Sequence, residues 1–292
     1  MNATTSRLGT ILSIWAHPDD ETYLAAGIMA AARDAGRRVV CASASAGEHG
    51  TADPRSWPPE RLARVRRWEA AAALAVLGVE EHHVLGLPDG ALADHDDAGL
   101  AWAGRLLDDL RPDTILTFGA DGMTYHPDHN AVHRWVTRAW RDRGCRSRLL
   151  YATPTVEHLA RFRDLYEEWG MYMSDERPTG VPEELLAVHV RLRGPELDRK
   201  LTALRAMATQ TGDLVARIDP AIYAAQIAEE AFVDALRVPD RDEAVTGTAA
   251  TGTAATGTAA TGTAATGPAA TGTAATGTAA TGTAATGTAA AW

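Results

Sequence analysis

Cysteine, positive charge and long apolar runs are what this chain has least of. Cys41 and Cys145 are the only cysteines in 292 residues. Two are too few for a disulfide framework, and they read as ordinary free thiols, buried or partly buried. No apolar stretch approaches the roughly 18 residues of a membrane span. The run Ile11 to Ala16 is too short for the core of a secretory signal and leads straight into the first motif below, so cleavage after it would isolate that motif. A cytoplasmic location is the resulting expectation. With 28 basic against 38 acidic side chains the formal charge is −10, which makes nucleic acid and anionic membranes poor partners. Neither a Gly-Lys-Ser/Thr phosphate loop nor a Gly-x-Gly-x-x-Gly fingerprint is present, so nothing argues for a bound nucleotide.

The chain has an apolar content of 46%, normal for a globular protein, and a tandem repeat. From Thr246 to Ala290 the unit Thr-Gly-Thr-Ala-Ala runs nine times with one change, Pro268. The repeat holds no charge and no large apolar side chain, and glycine at every fifth position opposes a helix. It is therefore expected to be disordered. This divides the chain into one domain over residues 1–243, which carries the chemistry, and a low-complexity tail over residues 244–292.

Within the domain, short apolar runs alternate with helical patterns. Ile11–Trp15, Arg38–Ser43, His82–Leu85, Thr114–Phe118, Leu149–Ala152 and Ala187–Val190 read as strands. Glu21–Ala35, Pro59–Leu77, Asp97–Leu110, His129–Arg141, Glu196–Ala208 and Ala221–Leu236 read as helices. Such alternation predicts an α/β fold, a mostly parallel sheet covered by helices on both faces.

Two motifs follow predicted strands. Ala16-His17-Pro18-Asp19-Asp20-Glu21 comes after the first, and His126-Pro127-Asp128-His129 comes after Thr114–Phe118 and a turn-rich loop. Ligands in open α/β sheets bind outside the carboxyl ends of strands, so the two can meet there. His17, Asp20 and His129 make a two-histidine, one-carboxylate set with room for water, as in catalytic zinc sites. Asp19 and Asp20 are adjacent and cannot point the same way, so one can bind metal while the other faces the water as general base. Two plainer readings stand beside this one. Asp19 or Asp20 can cap the following helix, and of His129 and His133, four apart, one can be a ligand and the other a packed neighbour. Arg61, Arg64, Arg66 and Arg67 could grip an anionic substrate group or form a solvated, salt-bridged helix surface, the reading preferred for all but Arg66; Trp15 reads as core, and Trp57 and Trp68 as packing residues or sugar-stacking platforms. His82 and His83 have no assigned role.

The double motif resembles that of the LmbE-like/PIG-L family of zinc-dependent N-deacetylases, and the similarity runs from about Ile11 to Gln210. Supporting segments are Ala46-Gly47-Glu48-His49-Gly50, Leu62 to Glu69, Leu77-Gly78-Val79, Leu87-Pro88-Asp89-Gly90 and Lys200 to Gln210. The resemblance implies a Rossmann-like fold and removal of acetyl or acyl groups from amino sugars. By the same resemblance His17, Asp20 and His129 would bind Zn2+, with Fe2+ an alternative at such a site. Asp19 would be the general base, protonated His126 would stabilise the oxyanion, and Asp128 would tune a neighbouring imidazole. Arg66 and Asp89 would contact substrate hydroxyls or glycan. Two departures stand out. Tyr125 occupies a position where the family often has glycine, and is expected to contact substrate by walling the pocket or by hydrogen-bonding the oxyanion. Met207-Ala208-Thr209-Gln210 lacks the family's usual histidine.

The expected function is metal-dependent hydrolysis of an N-acyl amino sugar or glycoside, a small-molecule substrate. The rivals are an amidase acting on a larger amide, such as a mycothiol-type thiol conjugate, and a catalytically idle glycan-binding or scaffold protein. The oligomeric state is left open, a homo-oligomer included.

Overall fold

The computed structural model of the chain describes residues 7–238. The Thr-Gly-Thr-Ala-Ala repeat, with its expected disorder, lies outside them. Seven strands form one sheet in the order β3-β2-β1-β4-β5-β7-β6. They are β1 Ile11–Trp15, β2 Val39–Ser43, β3 Glu81–Val84, β4 Thr114–Phe118, β5 Arg148–Ala152, β6 Val188–Arg191 and β7 Glu229–Asp234. The first five in spatial order are parallel, and β7 runs antiparallel to both β5 and β6. Every residue of β1, β2 and β4 is buried, which is why these strands read as continuous apolar runs: a parallel sheet is covered on both faces.

Eight α-helices accompany the sheet among the described residues: α1 Asp20–Asp34, α2 Pro59–Leu77, α3 Asp96–Leu110, α4 Pro127–Asp142, α5 Val156–Glu168, α6 Pro195–Arg205, α7 Ala208–Arg217 and α8 Pro220–Ile227. None is long and apolar enough to cross a membrane. Helix α2 opens with proline in its first turn and closes on Gly78 at φ +78°, the left-handed position that ends helices. Strand order reverses direction between β1 and β4, so the chain leaves these neighbouring strands toward opposite sides of the sheet. That switch point is where α/β folds form their clefts, and both motifs sit there.

Two expected elements differ, and one helix is additional. The span Ala221–Leu236, rich in helix formers, is a helix only to Ile227 and then strand β7. Pairing with β5 on one side and β6 on the other overrides local propensity. Helix α5 was not expected, and the Glu196–Ala208 pattern ends at Arg205, with α7 starting anew at Ala208. Cys41 is buried as expected, but Cys145 is exposed.

Strand β7 also reaches into α1. The carboxylate of Glu230 accepts from the backbone N–H of Gly27 (2.8 Å) and Ile28 (3.0 Å), amides that in a regular helix serve Tyr23 and Leu24 carbonyls. The Tyr23 carbonyl accepts from Lys200 Nζ (2.6 Å), which pairs with Glu230 Oε1 at 2.9 Å. Both charged side chains are fully buried, so a Lys–Glu pair is built into the helix ladder. Gly27 has no room for a side chain, because a Cβ would collide with Leu192.

Candidate active site

The first motif turns the chain from β1 into α1. Asp19 takes φ 150°, ψ −30° at the N-cap position of α1, yet its carboxylate makes no capping hydrogen bond. Its own N–H donates to Glu21 Oε2 instead (3.1 Å). Asp19 is fully buried and neither carboxylate oxygen has a hydrogen-bond partner among the described residues. Its one charged neighbour at contact is Arg66, whose Nη2 lies 3.0 Å from Oδ2, so the contact acts through charge and not through an aligned hydrogen bond. Burial pushes Asp19 up to about 7, against the pull of Arg66.

Arg66 is 2% exposed. Nη1 donates to the Gly47 carbonyl (2.7 Å) and Nη2 to the Pro18 carbonyl (2.8 Å), while Nε has no hydrogen-bond partner among the described residues. At Gly47, φ +65°, any Cβ would collide with the guanidinium. Arg66, expected at the substrate, is placed here as the buried neighbour of Asp19. Arg61, Arg64 and Arg67 are exposed, as expected of a solvated helix surface.

The second motif starts α4. His126 is its N-cap, with Nδ1 accepting from the Asp128 N–H (3.1 Å). The ring's proton then sits on Nε2. Burial, with His129 and His17 close by, lowers His126 to about 3. Both the low value and the engaged Nδ1 favour a neutral ring, against the protonated imidazole that the resemblance implies.

His17, Asp20 and His129 converge. His129 Nε2 lies 3.3 Å from His17 Nδ1 and 3.4 Å from Asp20 Oδ1, and His17 Nδ1 lies 3.7 Å from Asp20 Oδ2. Ligand atoms about 2.0–2.2 Å from a tetrahedral metal stand roughly 3.3–3.6 Å apart; the His129 Nε2–His17 Nδ1 and His129 Nε2–Asp20 Oδ1 pairs have that spacing, and His17 Nδ1 is measured to the other Asp20 oxygen. The far side of each group is anchored. His129 Nδ1 donates to the Gly122 carbonyl (2.8 Å), and its ring stacks on Phe118, the last residue of β4, at 4.1 Å. Asp20 Oδ2 accepts from the His17 N–H (2.8 Å). His17 Nε2 faces Asp89 Oδ1 at 3.1 Å and Asp128 Oδ2 at 3.2 Å. Such outer partners fix the tautomer and aim the inner nitrogen. Burial alone would push His17 down; Asp128, Asp89 and Asp20 reverse this and raise it well above the usual imidazole value. The pocket favours a positive charge where the inner donors meet. His126 also brings a ring nitrogen within 4.8 Å of those of His17 and His129, and His17, Asp89 and Asp128 form a second such group.

The placement separates several expectations. His133 points away, with Nδ1 donating to the Phe118 carbonyl (2.9 Å), so of the two histidines only His129 joins the cluster. Asp128 is fully buried and also accepts from the Gly90 and Leu92 amides (2.8 and 3.0 Å), and the imidazole it faces is His17. Asp89, expected at the substrate, spends one oxygen on His17 and the other on the His49 N–H (2.8 Å). These contacts place it as a neighbour of His17. Tyr125 is half-buried with φ +60°, the left-handed region that favours glycine. Trp15 is core, its ring edge-on to Phe118 at 4.9 Å; Trp68 is 70% exposed. The sequence reading missed the carbonyl of Gly122 and the ring of Phe118 as orienting groups. Their positions between β4 and the second motif were the available signal.

Comparison with known proteins places the chain among deacetylases. A family model described as PIG-L, GlcNAc-PI de-N-acetylase, matches residues 12–140. A 1D-myo-inositol 2-acetamido-2-deoxy-alpha-D-glucopyranoside deacetylase of Mycobacterium sp. (strain KMS) is 31% identical over 227 residues, covering 68% of this chain and 73% of that protein. The protein of the same name from Acidothermus cellulolyticus is 30% identical over 233 residues, covering 69% and 79%. Among solved structures, N,N'-diacetylchitobiose deacetylase from Pyrococcus horikoshii aligns with TM-score 0.55 at 20% identity, over 79% of this chain and 85% of that one. The A40926 pseudoaglycone deacetylase aligns with TM-score 0.56 at 24% identity, over 75% and 88%. At these identities the structural likeness shows the shared fold.

Proposed function

Since this chain belongs to the PIG-L family of de-N-acetylases, we propose that it is a metal-dependent hydrolase removing the acetyl group from an N-acetylglucosamine-containing small molecule. The carrying observation is Asp19: a buried carboxylate at a helix N-cap that makes no cap bond, placed between a lone Arg66 and the His17–Asp20–His129 cluster. A capping or purely structural aspartate would be hydrogen-bonded.

His17 Nδ1, His129 Nε2 and Asp20 would hold the metal, and their spacing and chemistry suit zinc, with iron the alternative. When bound, the metal supplies a Lewis acid that acidifies water and polarises the amide carbonyl. Asp19, raised to about 7, accepts the proton of the attacking water and returns it to the departing nitrogen, giving acetate and a free amine. Arg66 keeps Asp19 ionised enough to serve. His126 donates its Nε2 hydrogen to the oxyanion that forms as water adds, and does so neutral, because its Nδ1 is engaged by the Asp128 N–H. Asp89 and Asp128 hold the His17 ring so that Nδ1 faces inward. Tyr125 walls the pocket beside His126.

The test is acetate release from N-acetylglucosamine and its glycosides by protein loaded with one equivalent of zinc, beside Asp19→Ala and His129→Ala. The expected result is release that requires both residues, with zinc retained by Asp19→Ala and lost by His129→Ala. Tight zinc binding through His129 without acetate release would replace the deacetylase with an amidase for larger amides. Absence of zinc binding would overturn the reading.

A further inference from the structure

An aspartate at a helix N-cap ordinarily has extended backbone and turns its side chain onto the N–H groups of the first turn. Asp19 does neither. The Thr22 and Tyr23 N–H groups both donate to the Asp19 carbonyl (2.9 Å each), so the backbone of Asp19 does the work its carboxylate would do. That backbone stands at φ 150°, ψ −30°, a conformation rare for any residue with a side chain. Strain of this kind lasts only where neighbours impose it.

The neighbours grip the peptide unit between Pro18 and Asp19 at both ends. Its carbonyl accepts from Arg66 Nη2 (2.8 Å), and its N–H donates to Glu21 Oε2 (3.1 Å). The orientation of this plane sets φ at Asp19. Glu21 is held in turn, because its other oxygen accepts from the Thr22 hydroxyl (2.9 Å). Both side chains are buried, Glu21 with 1% of its surface exposed and Thr22 with none. Among the described residues Glu21 has no basic partner; the Asp19 N–H and the Thr22 hydroxyl are the donors it meets. A buried acid without a cation is a poor choice for stability alone. A capping box would also place it one residue later, at the third position of the helix, where Thr22 stands.

We propose that Glu21 is a positioning residue for the reaction: with Arg66 it clamps the Pro18–Asp19 peptide, and this holds the Asp19 carboxylate off the helix cap and toward the attacking water. The proposal rests on Asp19 being the general base, and it requires no proton transfer by Glu21. Without the acceptor, the peptide turns back to the extended backbone of an ordinary N-cap, and the carboxylate takes an N–H of α1. Asp20 keeps its own tie to the His17 N–H (2.8 Å), so zinc is retained.

The test compares zinc-loaded unaltered protein with Glu21→Met and Glu21→Gln by kcat and KM for acetate release from N-acetylglucosaminides, by zinc content, and by the crystal structure of Glu21→Met. In Glu21→Met we expect kcat to fall about tenfold to a hundredfold, the worth of one hydrogen bond to a charged acceptor. KM and zinc content stay unchanged, and the crystal structure shows Asp19 extended and capping. Glu21→Gln keeps an oxygen for the Asp19 N–H and an NH2 for the Thr22 oxygen, so its kcat stays within about threefold of the unaltered protein. Where Glu21→Met does not melt cooperatively, Thr22→Val replaces it: loss of the hydroxyl that holds Glu21 lowers kcat about threefold to tenfold at unchanged KM. An unchanged kcat in the variant used, an unmoved Asp19 in Glu21→Met, or a Glu21→Gln as impaired as Glu21→Met overturns the clamp. Acetate release by none of the proteins, with Asp19 nonetheless turned in Glu21→Met, keeps the clamp and sinks the deacetylase.

Discussion

Replacing Arg66 by methionine separates two accounts of this site. Arg66 reads as a substrate contact in the sequence and as the buried partner of Asp19 in the structure. The substitution keeps the aliphatic stem but strips the charge from Asp19 and leaves the Gly47 and Pro18 carbonyls unpaired. A buried carboxylate abandoned in its charged form costs about 3–5 kcal/mol. Asp19 escapes most of that by taking up a proton, because burial already holds it at about 7. The two carbonyls remain, at about 1–3 kcal/mol each, so the stability loss is about 2–6 kcal/mol. Activity follows the proton. Arg66 is the leading influence holding Asp19 down, so its removal shifts the ionisation upward, and each unit reduces the competent fraction at lower pH about tenfold. The assay is kcat and KM for acetate release from pH 6 to 9.5, both proteins carrying the same metal so that the metal's own charge cancels. We expect kcat to fall by at least about tenfold at pH 7, the acid limb to move to higher pH, and KM to change little. A raised KM with unchanged kcat and an unmoved profile would refute the argument and restore Arg66 to the substrate.

Other outcomes follow from groups outside the cluster. Lys200→Met leaves Glu230 buried without its counter-ion and should cost about 3–5 kcal/mol, a fall in Tm of roughly 6–20 °C for a domain of this size; a shift under 3 °C in calorimetry would refute the buried-pair account. Glu229, drawn down to about 2 by His158 and His189 against the effect of burial, has a folded pKa below its unfolded one. It therefore stabilises the fold fully above about pH 4.5, and that contribution is lost as pH falls through about 2. Glu229→Gln should flatten the decline in urea-unfolding stability between those values, and an unchanged slope would count against it. Tyr125→Gly should relieve the left-handed backbone at φ +60°; the expected gain is on the order of 1 kcal/mol, and a destabilised variant would show that the Tyr125 side chain outweighs the strain.

Local pattern made the centre of the sheet legible and lost its edge. Strands β1 and β4 and helix α2 have the bounds their sequence predicts, because an apolar run buried on both faces and a proline-to-glycine helix frame are local signals. Strand β7 was invisible, since Glu229 to Asp234 continues a helix-forming composition and becomes a strand only through partners some 40 to 80 residues away. The site divides the same way. The convergence of His17, Asp20 and His129 follows from two motifs at two strand ends. The assignments of Arg66, Asp89 and His126 needed geometry, because residue type does not reveal whether a guanidinium faces solvent or a buried carboxylate, nor which imidazole nitrogen is engaged.

The Lys–Glu pair set into α1 has a consequence for the order in which the molecule is made. The turn of helix that carries Asp20 and Tyr23 is among the earliest parts of the chain to be synthesised, and its amides at Gly27 and Ile28 end on a carboxylate 200 residues later. Lys200 arrives first, with β7 following after two further helices. Until Glu230 emerges, the Gly27 and Ile28 amides and the Lys200 ammonium lack the carboxylate they share in the folded domain. The turn of α1 that holds Asp20 and Tyr23 thus reaches its final set of partners only when nearly the whole domain has been made.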